Sequence, residues 1–73
     1  MRLVQIGLGG WGRNWVEEIT RATPGVEAVA WVDIDPATRE RAGAELGLPK
    51  AWVFGTLDEA LDEVAADAAL VVV

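Results

Sequence analysis

Three glycines near the amino terminus have a spacing that suits the binding of phosphate groups. Gly7, Gly9 and Gly12 follow the pattern G-x-G-x-x-G within the segment QIGLGGWGRN. The first glycine of this pattern allows a sharp turn, the second lets a pyrophosphate approach the backbone, and the third lets a helix pack closely on a sheet. Free amide groups and the helix dipole attract anions at the start of such a helix. The loop is therefore a candidate diphosphate-binding site.

An acidic residue stands where such a site needs one. Asp33 lies 21 residues after Gly12, against an expected spacing of about 20. Its carboxylate can accept hydrogen bonds from both ribose hydroxyls of an adenosine. It would repel a 2′-phosphate by about 4 kcal/mol, taking unit charges ~4 Å apart in an effective dielectric of 20. Ile34 follows it and is placed to lie against the adenine, so the pattern predicts NAD as cofactor and disfavours NADP.

The other residues of the glycine loop have less specific interpretations. Gly10 has no role in the pattern and is interpreted as a flexible residue, and Trp11 as a packing residue beside the cofactor. Arg13 could either reach a phosphate or point into water. The predicted cofactor-binding set is Gly7, Leu8, Gly9, Gly10, Trp11, Gly12, Asp33 and Ile34.

Composition excludes several other chemistries. The chain has 73 residues, no cysteine, no histidine and a net charge of -6, so disulfides, thiolate metal sites and the commonest general base are excluded. The acidic residues of 58–63 are interpreted as a solvated helix face rather than a metal site. The charge argues against nucleic-acid binding. No apolar run reaches the ~20 residues that span a bilayer, and the start lacks a signal peptide. We expect a cytoplasmic protein with no membrane partner, no metal and no catalytic residue in this chain.

Apolar runs and helical spacing alternate along the chain. Strands are predicted at 3–6, 26–32, 51–54 and 68–73, and amphipathic helices at 11–22, 37–46 and from 57 onward. Asp35 and Pro36 suit a helix start, and Gly47 suits its left-handed end. Thr56 and Glu59 have the spacing of a capping box. Trp15, Trp31 and Trp52 are expected to fill the core or the interface between sheet and helices.

This alternation predicts an α/β fold with right-handed crossovers. We predict a partial Rossmann fold, with a four-stranded parallel sheet in the order 3-2-1-4 and three crossover helices. Because complete domains usually reach ~100–150 residues, we expect residues 1–73 to be the N-terminal part of a dinucleotide-binding domain, with its remainder and a substrate domain absent. The apolar residues of 71–73 would leave a sheet edge uncovered, which predicts self-association of this chain in isolation. We also expect a homo-oligomer.

Four segments in succession carry a family resemblance: GLGGWGRNW, PGVEAVAWVDIDP, AELGLPKAWVFGTLDEAL and DAALVVV. Together they resemble the N-terminal domain of the glucose-fructose oxidoreductase and inositol dehydrogenase family (Gfo/Idh/MocA). The resemblance implies an NAD(P)-dependent oxidoreductase that moves a hydride between a nicotinamide and a hydroxyl-bearing carbon, often of a sugar or cyclitol. It implies that Gly7, Gly9, Gly12 and Asp33 bind the cofactor and that the catalytic lysine lies further along. The alternatives are a non-catalytic nucleotide-sensing regulatory domain and a structural remnant that binds no nucleotide.

Overall fold

Four parallel strands form one sheet in the order β3-β2-β1-β4. The computed structural model describes residues 1–10, 14–16, 18 and 24–72. The strands are β1 (Arg2–Ile6), β2 (Glu27–Val32), β3 (Val53–Phe54) and β4 (Ala68–Val71). The predicted α/β class and strand order are therefore confirmed.

Two complete helices connect the later strands, and both begin where the sequence predicts. Helix α1 (Pro36–Leu46) is capped by the side chain of Asp35 and ends at Gly47, whose φ is 68°. Helix α2 (Leu57–Glu63) is capped by the hydroxyl of Thr56, which accepts the amide hydrogen of Glu59. Residues 14–16 and 18 of the first predicted helix are helical, and its other positions lie outside the described residues.

The third strand is shorter than predicted. Residues 51 and 52 belong to a 3-10 turn, Lys50–Trp52, and only Val53–Phe54 pair with β2. The turn is closed by the backbone N–H of Trp52, which donates to the carbonyl of Pro49 at 3.0 Å. Because the backbone N–H of residue 52 is used within this turn, pairing with β2 begins only at Val53.

The central strands of the sheet are covered on both faces. On one face Val4, Ala30 and Val32 pack against Ala60 and Val64, beside α2. On the other face Leu8 packs with Val16 and Ala42, and the partly buried Trp31 joins them. These two layers hold the carboxyl ends of the central strands in fixed positions.

Two of the tryptophans do not fill the core as predicted. Trp15 is 45% exposed and Trp52 is 39% exposed, whereas Trp31 is half-buried against the second core cluster. Trp52 lies in the 3-10 turn Lys50–Trp52, in which no residue is buried.

Candidate functional site

The loops that follow β1 and β2 meet at the carboxyl edge of the sheet. The N–H of Gly7 donates to the carbonyl of Val32 at 2.7 Å, so the pairing with β2 continues into the glycine loop. On the other side, the N–H of Val72 donates to the carbonyl of Ile6 at 2.8 Å. Parallel strands therefore bring the glycine loop and Asp33 together, as the sequence pattern requires.

Gly7 must be glycine for two independent reasons. Its φ is +103°, a conformation that L side chains rarely adopt. A Cβ at this position would also lie 1.9 Å from the carbonyl oxygen of Val72. The sharp turn predicted for this residue is thus present, and it lets the chain pass directly against the end of β4.

Gly9 differs from Gly7 because nothing in the described fold requires a glycine there. It is exposed, its φ is not positive, and a Cβ would meet only the Cγ2 of Thr38, at 3.8 Å. Gly10 has a φ of +50° and open space around it. The backbone of Gly10 is therefore left-handed, and this conformation favours glycine at a position where the sequence pattern does not require it.

Asp33 links the glycine loop to the start of α1. Its Oδ2 accepts the N–H of Leu8 at 2.9 Å, and its Oδ1 accepts the N–H of Asp35, also at 2.9 Å. Its own N–H donates to the carbonyl of Phe54 at 3.1 Å. Because a carboxylate oxygen has more than one acceptor direction, both oxygens retain the capacity to accept a further hydroxyl.

Arg39 holds the backbone on the other side of this carboxylate, a role that the sequence reasoning missed. Its Nη1 donates to the carbonyls of Asp33 at 2.7 Å and of Ile34 at 3.2 Å. The same nitrogen would lie 3.1 Å from a Cβ on Gly55, so the guanidinium fills the space above the turn after β3. The sequence signal for this contact is the position of Arg39, one helical turn after the N-cap residue Asp35.

The carboxylate of Asp35, the N-cap of α1, is stabilised in its charged form. Oδ2 of Asp35 accepts the hydroxyl of Thr38 at 2.7 Å, and Oδ1 accepts the N–H of Ala37 at 3.3 Å. These two hydrogen bonds, the Thr38 hydroxyl first, hold the pKa of Asp35 below its ordinary value of 3.8, and the Arg41 charge adds to the effect.

A cavity of about 180 Å³ separates the glycine loop from α1. Thr38 and Arg41 lie on its helix side, opposite Gly9 and Gly10. A larger cavity of about 560 Å³ lies between α1 and the turn before β3, away from the glycine loop. The smaller cavity borders the predicted site, so we place the site there rather than at the larger volume.

The remaining predicted residues divide into three groups. The side chain of Leu8 is buried in the core, so only its main chain reaches the loop surface. Ile34 is 86% exposed next to Asp33, at the edge where a flat ligand could contact it. Trp11, Gly12 and Arg13 lie outside the described residues.

The described residues contain neither a metal-binding cluster nor a membrane-spanning helix. Within residues 1–10, 14–16, 18 and 24–72, no three acidic side chains are grouped to hold a metal ion. No helix in the same part of the chain is long and apolar enough to cross a bilayer.

Several solved dehydrogenases have the same fold. The WlbA dehydrogenase from Bordetella pertussis, in complex with NADH and UDP-GlcNAcA, superposes with a TM-score of 0.79 at 25% identity, over 99% of this chain and 21% of its own. The scyllo-inositol dehydrogenase from Lactobacillus casei, with bound NAD(H) and scyllo-inositol, gives 0.76 at 25% identity, over 100% and 21%. The myo-inositol 2-dehydrogenase from Lactobacillus plantarum gives 0.76 at 27% identity, over 100% and 21%.

These neighbours are dehydrogenases of the Gfo/Idh/MocA type, which confirms the resemblance seen in the sequence. The chain matches their N-terminal part and spans about a fifth of their length (21% for these three). Comparisons with protein-family models and with curated proteins gave no match.

Proposed function

We propose that this chain is the N-terminal, cofactor-binding part of an NAD-dependent dehydrogenase that acts on a hydroxyl-bearing small molecule such as a sugar or cyclitol. The structural neighbours with bound NADH or NAD(H) support the cofactor. Their substrates, a nucleotide sugar and cyclitols, support the substrate class. The rest of the dinucleotide-binding domain and a substrate domain would complete the protein.

One observation of this structure carries the proposal: among the described residues, nothing in conformation or packing requires the exposed Gly9 to be glycine. Glycine loses more backbone entropy on folding than any other residue, so such a position is unfavourable for stability alone. A bare backbone there is useful if a phosphate group must approach it closely. The position thus fits a diphosphate better than it fits a purely structural loop.

Asp33 would hold the adenosine ribose of the same cofactor. Its carboxylate is fixed by two backbone amides, from Leu8 and Asp35, and each of its oxygens can still accept a hydroxyl. A fixed negative charge at the ribose would repel the 2′-phosphate of NADP. The site therefore combines recognition of ribose with discrimination against the phosphorylated cofactor.

The nicotinamide, when bound, would supply the hydride chemistry. This chain would contribute binding and orientation, through Gly7, Gly9 and Gly12 at the diphosphate and Asp33 and Ile34 at the adenosine. We assign no catalytic residue within it, so proton transfer from the substrate hydroxyl would fall to residues of the complete protein.

Substitution of Gly9 tests the proposal against a closely matched control. Gly43, in α1, likewise has no positive φ, and among the described residues nothing lies within 4 Å of a Cβ placed there, whereas at Gly9 only the Cγ2 of Thr38 does; Gly43 lies away from the glycine loop. We expect Gly9→Val to weaken NAD binding by about tenfold or more, since one hydrogen bond to a charged group is worth ~1.5–3 kcal/mol. Gly43→Val, the same substitution away from the loop, should leave binding unchanged.

Isothermal titration calorimetry with NAD, on the complete protein, measures both variants, and thermal unfolding verifies that each is folded. Equal NAD affinity in wild type and a folded Gly9→Val variant would remove the diphosphate from this loop. Turnover of NAD by the complete protein separates the dehydrogenase from a nucleotide-sensing domain, which would bind without reaction.

Substitution of Asp33 tests the ribose assignment separately. Asp33→Ser removes the charge that would oppose a 2′-phosphate, so the preference for NAD over NADP should fall by about tenfold or more. The ratio of the two dissociation constants is the measurement. A ratio equal to that of wild type would move the ribose away from this residue.

We also propose a cytoplasmic homo-oligomer. Its location is supported by the lack of cysteine, which disulfide-rich extracellular proteins use for stability. Self-association of this chain in isolation is supported by β4, where Val71 is 60% exposed at the outer strand of the sheet. Sedimentation of the isolated chain as a monomer in dilute solution would contradict this association, and sedimentation of the complete protein as a monomer would contradict the homo-oligomer.

A further inference from the structure

We propose that Gln5 is a positioning residue, which orients one peptide of the glycine loop and through it the carboxylate of Asp33. The inference concerns a contact within this chain, and it rests on the proposed function only where it extends to ribose recognition. Gln5 lies in the middle of β1, two residues before the loop begins. No predicted site residue depends on it in the sequence pattern.

The side chain of Gln5 is buried where an apolar residue would be expected. It is 0% exposed, between Val4 and Ile6 on the central strand of the sheet. Burial of an amide costs free energy unless it is hydrogen-bonded. Its Nε2 donates to the carbonyl oxygen of Gly7 at 3.0 Å. A polar side chain thus reaches forward from the core to the first turn of the loop.

The peptide that Gln5 contacts is held at its other end by Asp33. The Gly7 carbonyl and the Leu8 N–H belong to one planar peptide unit and point in opposite directions. The carbonyl accepts from Gln5, and the N–H donates to Oδ2 of Asp33 at 2.9 Å. Rotation of this peptide would break both hydrogen bonds, so the two side chains are coupled through it. Hydrogen bonds in such a chain also polarise one another.

The second oxygen of Asp33 has a separate support. Oδ1 accepts the N–H of Asp35, a local contact between residues two apart that does not involve Gln5. Loss of the Gln5 donor would therefore loosen the peptide that holds Oδ2 of Asp33. The hydrogen bond to Oδ1 would remain. The expected consequence is poorer recognition of ribose hydroxyls, with the rest of the cofactor contacts retained.

Gln5→Met tests the coupling, because methionine has a similar length and no N–H donor. Leu3→Met is the matched control, since Leu3 is also buried and lies on the same face of β1. The first measurement needs no cofactor: it is the change in the NMR shift of the Leu8 amide proton when Asp33→Asn replaces the carboxylate in each background.

In wild type and Leu3→Met we expect Asp33→Asn to shift the Leu8 amide resonance, and in Gln5→Met we expect less than about half of that change, since a neutral hydrogen bond of ~1 kcal/mol is lost. An equal amplitude in Gln5→Met would overturn the proposal. Gln5→Leu is a second donor-free variant should methionine prevent folding. Slow exchange of the Gln5 side-chain amide protons in wild type measures the same contact without substitution, and fast exchange would also overturn it.

The second measurement compares the affinities of NAD and its 2′-deoxyadenosine analogue. We expect Gln5→Met to reduce the preference for NAD by about threefold to tenfold, the equivalent of one hydrogen bond, and Leu3→Met to leave it unchanged. A merely structural role for Gln5 would weaken both ligands equally, and that result would refute its action through Asp33. If wild type binds neither ligand, the proposed function fails, and the Leu8 amide measurement still decides whether Gln5 positions Asp33.

Discussion

Gly7→Ala is the substitution for which the structure makes the sharpest prediction. Alanine would have to adopt a φ of +103° and place its Cβ 1.9 Å from the carbonyl oxygen of Val72. That oxygen belongs to the backbone, so it cannot move aside as the end of a flexible side chain could. The residue that carries it is held to β1 by the hydrogen bond from the Val72 N–H to the Ile6 carbonyl, at 2.8 Å.

The expected cost has two parts. A non-glycine residue in an unfavourable backbone region costs about 1–3 kcal/mol. Relief of the clash requires a backbone shift of roughly an ångström, which would sacrifice the Val72–Ile6 hydrogen bond at about 1 kcal/mol and part of the nearby packing. We therefore expect Gly7→Ala to lower the free energy of unfolding by about 3–5 kcal/mol. This loss is a large fraction of the roughly 5–15 kcal/mol by which a whole domain is typically stable.

Urea unfolding followed by far-ultraviolet circular dichroism measures this change. Gly10→Ala is the control for backbone conformation, because its φ is +50° and it has open space around it, so we expect a loss of only about 1–2 kcal/mol. Gly43→Ala should gain about 0.5–1 kcal/mol, because alanine is the better helix former. Should Gly7→Ala prove no more destabilising than Gly10→Ala, the close approach of β4 to the glycine loop would be refuted.

Three further predictions concern the Arg39 contact and the N-caps of the two helices. Arg39→Met should lower the free energy of unfolding by about 1–2 kcal/mol, since a half-buried charged donor to two carbonyls is lost. Arg39→Lys should recover part of this stability in the same urea assay. An unchanged urea midpoint in Arg39→Met would contradict the contact. Thr56→Ala should cost about 1 kcal/mol through loss of the α2 cap, whereas Thr56→Ser should be close to wild type, and equal losses in both would exclude capping as the cause. Asp35→Asn should lower the free energy of unfolding only where Asp35 is ionised. Because its folded pKa lies below 3.8, the greater stability of wild type should be present above that pH and disappear as pH falls through the lowered pKa. Greater stability of wild type that persists in acid would refute an electrostatic origin.

The parts of the fold that sequence predicts well are those set by local chemistry. Asp35 and Pro36 start α1, Gly47 ends it, and Thr56 caps α2, each because a nearby side chain or backbone angle is required at that position. The parallel strand order follows from the alternation of apolar runs and helices, together with the known handedness of crossovers. Neither inference needs a contact between distant residues.

Hydrophobicity was a poorer guide to the tryptophans and to the third strand. Trp52 belongs to an apolar run that predicts a strand, yet its N–H closes a 3-10 turn with Pro49 and its ring is partly exposed. Trp15 falls on the predicted buried face of a helix and is nevertheless half-exposed. In both cases an apolar side chain indicates a preference for burial, and the turn or helix position decides whether that preference is met.

Gln5 and Arg39 escaped prediction for a common physical reason. Both donate to main-chain carbonyls, Gln5 to Gly7 and Arg39 to Asp33 and Ile34. Every residue has a carbonyl, so the acceptor carries no signature in the sequence, whereas a ligand-binding glycine or acid must be of a particular type. Sequence patterns therefore find residues that would meet a ligand and miss those that hold the backbone beneath them. The consequence is that the precision of a site such as this one, which depends on the orientation of a single peptide and carboxylate, has to be read from hydrogen bonds rather than from motifs.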